Sequence, residues 1–222
     1  MEKMVERAPG PEEDYLVDFA FDGNWLALTL HEGTRREAEK VAANLVEQFN
    51  PLEMMVSKAK LQQDLAELAL RLHKDDPIFT GAVYTVGGEF LAEMVGRAYG
   101  EDEVQRPSPD EWRSHLLDWG DAKPKSTPDV TEIQLPVGHA VRVQAVLEEK
   151  RLFGLGRRLS ETLRYAVWPK GQEEIILVDV DWLAMHRSDE LTSLVDELMP
   201  TMHLVPVPPG ADDGTGTEQE KP

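Results

Sequence analysis

The stretch from Glu132 to Pro200, EIQLPVGHAVRVQAVLEEKRLFGLGRRLSETLRYAVWPKGQEEIILVDVDWLAMHRSDELTSLVDELMP, decides the fold. Within it Val141, Val143, Ala145 and Leu147 alternate with Arg142, Gln144 and Glu148, which is the period of a strand with one buried face. Leu159 to Trp168 and Glu173 to Asp181 flank the turn Pro169-Lys170-Gly171-Gln172 and read as a hairpin. Ile175-Ile176-Leu177-Val178 is apolar on both faces, so this strand is expected at the centre of a sheet, with Leu177 and Val178 on opposite sides. Ser188 then caps a helix that opens on Asp189 and Glu190 and carries Leu191, Leu194, Val195 and Leu198 at helical spacing. The order strand, strand, turn, strand, helix describes an architecture rather than a reaction.

Working outward toward the N-terminus, Tyr15 to Leu30 suggests a β-hairpin, or a strand with a lead-in, around Asp22-Gly23-Asn24. Thr34 and Glu37 form a capping-box pair ahead of a helix carrying Ala38, Val41, Ala42, Leu45 and Phe49, which Pro51 ends. A second helix is expected over Glu53 to His73, where Leu61, Leu65, Leu68 and Leu72 share one face. That stripe could serve a coiled-coil partner. It is too short for the several heptads such a partner needs, and a helix pair packed on the sheet is the favoured reading. Ile78 to Val86 reads as a buried strand, followed by Gly87-Gly88 and a short helix to Tyr99. The glycine pair lacks both the lysine of a phosphate loop and the three-glycine dinucleotide spacing, so it reads as a plain turn.

From Gly100 to Asp129 the chain is polar and proline-rich. Inside it, Ser108-Pro109-Asp110-Glu111 starts a small helix with Trp112, Leu116 and Trp119 one turn apart. Met202 to Val207 suggests a short edge strand. Residues 1–14 read as a flexible arm and 208–222 as a disordered acidic tail, leaving 15–207 as one domain with an insertion around 100–129. The expected fold class is α+β: an antiparallel sheet with helices packed mainly on one side.

Composition narrows the chemistry. The chain has no cysteine, which removes disulfides, thiolate metal sites and thiol nucleophiles. Its net charge of −19 disfavours a sequence-independent grip on nucleic acid and favours basic partners. No apolar run approaches the roughly 20 residues of a membrane span, and the N-terminus has no secretory h-region, so a cytoplasmic location is expected. The six histidines (His31, His73, His115, His139, His186 and His203) show no metal-ligand spacing, and neither a metal nor a cofactor is expected.

Two features could carry function. Asp179 and Asp181, two apart on a strand, point to one face and could hold Mg²⁺ or act as acid and base; the alternative is a strand simply leaving the core. Lys150 to Lys170 is net +5 in this acidic chain, with Lys150, Arg151, Arg157, Arg158, Arg164 and Lys170 against Glu161. Its tip Leu152-Phe153-Gly154-Leu155-Gly156 is apolar and flanked by basic pairs. This suits a contact loop for an acidic partner, an anionic ligand or a membrane surface. Alternatively, its arginines pair with the chain's own carboxylates while Phe153 folds into the core.

The run Glu132-Ile133-Gln134-Leu135-Pro136-Val137-Gly138-His139-Ala140-Val141-Arg142-Val143 resembles a widespread group of actinobacterial proteins with a Leu-Pro-x-Gly turn and an Ala-Val-Arg-Val strand. Trp25 opening a strand, two helices through Leu72, the Gly81-Ala82-Val83 strand and the later hairpin of Tyr165 to Trp168 with Ile175 to Val178 are similar to the same group. The arrangement resembles the PsbP/LpqN-like α/β/α sandwich. That resemblance implies a binding or assembly protein without a shared active site, so no catalytic residue carries over. The chain lacks the lipobox cysteine of LpqN-type lipoproteins.

Together these features point to a non-enzymatic binding or accessory protein with a protein partner, of the kind that serves a larger bacterial assembly. Its candidate contacts are Arg151, Phe153, Arg157 and Arg158, together with Trp112 and Trp119. The alternatives are an enzyme with a fold-assembled acidic site around Asp179 and Asp181, or an immunity-type protein whose acidic face blocks a basic partner.

Overall fold

The computed structural model describes residues 15–21, 23–100, 104–150 and 157–207. In chain order its strands are β1 (Tyr15–Asp18), β2 (Trp25–Ala27), β3 (Phe79–Tyr84), β4 (Phe90–Tyr99), β5 (Lys123–Pro124), β6 (Asp129–Gln134), β7 (Gly138–Lys150), β8 (Arg157–Pro169), β9 (Ile175–Trp182) and β10 (His203–Pro206). The helices are α1 (Arg35–Val46), α2 (Lys58–Leu72), α3 (Pro109–Leu116) and α4 (Ser188–Leu198). Eight strands form one antiparallel sheet in the order β2-β3-β4-β9-β8-β7, with β5 and β6 both pairing the outer edge of β7. β1 and β10 form a separate two-stranded ladder.

Side chains alternate across a strand, and directly paired residues share a face. The register therefore sorts the molecule into layers. One face carries Leu26, Ala82 and Val95 beneath α1 and α2, and Val143, Ala166 and Ile175 beneath α3. The opposite face carries Leu163, Tyr165, Ile176, Val178 and Trp182 beneath α4 and the β1–β10 ladder. Three of the four described helices thus lie on one side of the sheet, and the result is an α+β fold with α/β/α layering. Val178 is fully buried under α4, while the partly buried Leu177 packs toward α3, as expected for a central strand.

The Leu61, Leu65, Leu68 and Leu72 stripe is buried against α1 and the sheet. Burying each such side chain contributes about 2 kcal/mol. Ser108 and Glu111 form a reciprocal capping box at α3. Thr34 accepts from the Glu37 amide at α1, but the Glu37 carboxylate turns back to accept from the amides of His31, Glu32 and Gly33. The carboxylate thus fixes the approach to the helix rather than closing a box.

Several expectations are corrected. The segment after Gly87-Gly88 is strand β4, because the glycines make a tight hairpin turn, with Gly88 at φ +84°, that returns the chain alongside β3. Gly96 in β4 gives the Phe79 ring room: a Cβ there would come 2.0 Å from the ring. Residues 15–30 do not form a hairpin, because β1 pairs with β10 and β2 pairs with β3. β10 is accordingly not an edge of the main sheet. The second helix starts at Lys58 rather than Glu53, capped by the Ser57 hydroxyl. Ser188 is the first residue of α4 rather than its cap, and its hydroxyl donates to Glu161 on β8.

That contact belongs to a polar seam that fastens α4 to the sheet. Gln144 donates to Glu161 (2.7 Å) and Thr192 (3.3 Å). Arg142 grips Asp196 through two nitrogens (2.9 and 3.2 Å), and the buried Tyr165 hydroxyl donates to the same carboxylate. Burial, reinforced by that bond to Asp196, raises the Tyr165 phenol well above its ordinary value. Among the described residues no helix is long and apolar enough to cross a membrane.

Candidate functional site: a charged groove on the sheet

On the face shared by α1, α2 and α3 the helices cover the two ends of the sheet and leave its middle open. The residues that period two places there are Glu93 and Arg97 on β4, Thr162 and Arg164 on β8, and Asp179 and Asp181 on β9. Register makes them neighbours: Glu93 and Thr162 both lie opposite Asp181, and Arg164 lies opposite Asp179. All but the buried Thr162 line a groove of two adjoining hollows, about 350 and 640 Å³, which share Arg71, Glu93, Arg164 and Asp181.

Most of these charges are already matched. Arg71, on the last turn of α2, makes a two-point contact with Glu93 at 3.0 and 2.5 Å. Arg97 reaches Asp179 at 3.1 Å and Asp75, just beyond α2, at 3.6 Å. Arg164 Nε lies 2.8 Å from Asp179 Oδ1, in an approach too oblique for a hydrogen bond. The same guanidinium donates to the carbonyls of Leu116 (3.1 Å) and Asp118 (2.7 Å) at the end of α3, and lies 4.3 Å over the Trp119 ring. The pairs therefore tie α2 and α3 to the floor and hold the groove open.

Asp181 differs. Its carboxyl takes a hydrogen bond from Thr162, and no cation stands in ion-pair range among the described residues. Burial pushes it up to about 6, and the neighbouring Asp179 and Glu93 carboxylates add to the shift. Burial also raises Asp179, against the opposing pull of Arg164 and Arg97.

Of the residues singled out from sequence, Asp179 and Asp181 do come together, and they do so in the groove. Arg158, exposed on β8, lines its wider hollow with Ser160 and Glu149. Arg157 is exposed and pairs with Glu148 across the β7–β8 hairpin at 2.6 Å. Arg151 and Phe153 lie outside the described residues. Arg164, counted with the basic segment but expected on the strand Leu159 to Trp168, lies on the groove floor. Trp112 and Trp119 are half-buried and pack on the sheet beneath α3, Trp112 against Tyr99 at 5.5 Å between ring centroids. Sequence reasoning did not single out Glu93, Arg97, Arg71 or Thr162. The available signal was a charged residue inside an otherwise apolar strand, as at Glu93 and Arg164. Among the described residues no group of three or more His, Asp or Glu side chains is arranged to hold a metal ion.

No protein-family model matches this chain, and no curated protein matches it.

Proposed function

We propose that this chain is a non-enzymatic cytoplasmic accessory protein that holds an extended segment of a protein partner in the groove, with the basic β7–β8 hairpin contributing at its mouth. The observation that carries this reading is the state of the groove's charges. Asp179 and Glu93 are each held by guanidinium groups, so the floor around Asp181 is internally paired, and Asp181 has no second free group beside it for proton transfer. The exposed Arg158 at the rim supplies charge for steering, while Phe90 and Leu183 in the same hollow supply apolar contact area.

The test combines site-specific cross-linking with charge reversal. A photo-reactive residue at Ser160 should capture one partner in the native host, and the same residue at the outward-facing Gln63 of α2 should not. Replacing Arg151, Arg157 and Arg158 with glutamate should leave the thermal midpoint unchanged, because exposed pairs such as Arg157–Glu148 contribute little. It should weaken capture, and wild-type capture should decline with salt as exposed charges are screened. Equal labelling from both positions would remove the groove from consideration.

An enzymatic reading rests on Asp181, since a carboxyl near 6 inside a cleft suits acid–base work. It needs a second free group beside it, and the two nearest carboxylates hold arginines. A turnover that vanishes in Asp181→Asn and follows a pH profile centred near this value would put it first.

A further inference from the structure

The groove contains one mismatch, and it is local. Asp179 faces Arg97 and Arg164, and Glu93 faces Arg71, whereas Asp181 accepts from the Thr162 hydroxyl and feels Arg164 only from beyond ion-pair distance. None of the three guanidinium groups can be spared: moving any of them toward Asp181 would abandon Glu93, Asp179 or the carbonyls at the end of α3. A buried carboxylate without a counter-ion is costly unless one is supplied. Asp181 opens into both hollows, so a group arriving from solvent can reach it.

The wider hollow adds an independent indication. Its wall includes Phe90 and Leu183, large apolar side chains left 37% and 42% exposed. An apolar rim above a partly buried carboxylate without an ion pair fits a side chain with a methylene stem and a cationic end, because such chains bury the stem while their head finds its partner. The chain's net charge of −19 draws cations toward the surface as a whole.

We infer that the groove is a recognition site for a guanidinium or ammonium group on a basic side chain of the partner, with Asp181 as its counter-ion and Thr162 fixing the carboxylate's orientation. This rests on the groove being the binding surface. Facing Asp181 are Glu93 and Arg97 from β4, Arg164 from β8, Asp179 from β9 itself, and Arg71, the exposed Lys74 and Asp75 from the end of α2 and the turn after it, with Glu149 and Arg158 across the wider hollow. Arg71, Arg164, Glu93 and Asp179 are mutually paired, so Asp181 is the group whose charge the incoming cation meets.

The experiment is an NMR titration of the full isotope-labelled chain with a blocked Gly-Arg-Gly peptide, its neutral citrulline counterpart, a blocked Gly-Glu-Gly peptide, and butylguanidinium alone. At about pH 7.5 the arginine peptide should give saturable shifts at the amides of Asp181, Thr162 and Glu93. Binding should weaken about tenfold at about pH 5, where a carboxyl near 6 is mostly protonated. Citrulline should bind at least about tenfold more weakly than arginine, as expected when a charge-assisted bond to a carboxylate is lost. Peptide binding tighter than that of butylguanidinium supports a protein segment as the occupant, whereas equal affinity would overturn the protein-segment part of the inference and assign the site to a small organic cation. Asp181→Asn should abolish the arginine effect. Ser160→Lys, which places an ammonium on the same face of β8, should compete with the peptide and covers the case in which the asparagine variant misfolds. Absence of saturable shifts, equal binding of citrulline, or preference for the glutamate peptide would overturn the inference. If cross-linking from Ser160 still captures a partner in that case, the groove stands and only its cation selectivity falls; if capture also fails, both fall.

Discussion

Asp179 and Asp181 are identical side chains two residues apart on one strand, and the fold gives them opposite circumstances. The first is held by Arg97 and Arg164, whereas the second has a hydroxyl, two acidic neighbours and no cation nearer than the more distant Arg164. The consequence is a sign on the pH dependence of stability. Asp181 has its ordinary value of 3.8 raised to about 6 in the folded state, so the native protein binds that proton more tightly than the unfolded chain. The resulting stability is fully present below 3.8 and is lost as pH rises through 6. The difference of two units corresponds to about 3 kcal/mol. Asp181→Asn should therefore be the more stable protein at neutral pH, by up to about that amount, with the gap closing below about pH 4. Urea denaturation of both proteins across this range measures it. A variant less stable than wild type at neutral pH would mean that Asp181 is internally compensated.

At the scale of elements, α4 is attached by more than its apolar stripe. Removing the carboxylate in Asp196→Ala leaves the buried Tyr165 hydroxyl and the Arg142 guanidinium short of their acceptor. The expected cost is about 2 kcal/mol, read from denaturation, with faster amide exchange in α4. Adding Tyr165→Phe should recover part of the loss, because the orphaned donor is then gone.

The elements also differ in how far the chain announces them. β7 was legible because it is half-buried and alternates, and β9 because a short, all-apolar run after a turn marks an interior strand. β4 was not. Buried on both faces, it shows no alternation, and Leu91, Met94, Val95 and Ala98 fall at the spacing of a helical stripe. The groove was half legible for the same reason. Period two puts Asp179 and Asp181 on one face, but their partners arrive from β4, β8 and α2 through a pairing register that no local spacing encodes. Arg164 shows the limit most plainly: the strand reading of Leu159 to Trp168 contained it, but nothing in its local spacing placed it, as the eighth residue of β8, beneath α3.

For the whole molecule, residues 1–14 and 211–222 are polar and poor in apolar side chains. A protein spanning Tyr15 to Pro209 should keep the thermal midpoint of the full chain, because neither segment has enough apolar surface to offset the entropy of ordering it. Cutting further, to Phe19, should lower the midpoint measurably, since it removes the strand that pairs with β10 among the described residues and uncovers apolar surface beneath Tyr15 and Val17. Calorimetry of the two truncations separates these outcomes.

The β1–β10 ladder has a mechanical consequence. Tyr15 is registered with Pro206 and Asp18 with His203, so the two ends of the described chain leave from the same end of the ladder. A load applied between those ends pulls the strands apart like a zipper, one rung after another, rather than shearing all rungs at once. The short ladder should open at low force, and only then would tension reach the eight-stranded sheet. A protein tethered at both ends within an assembly would thus extend by a short first step while its groove remained intact.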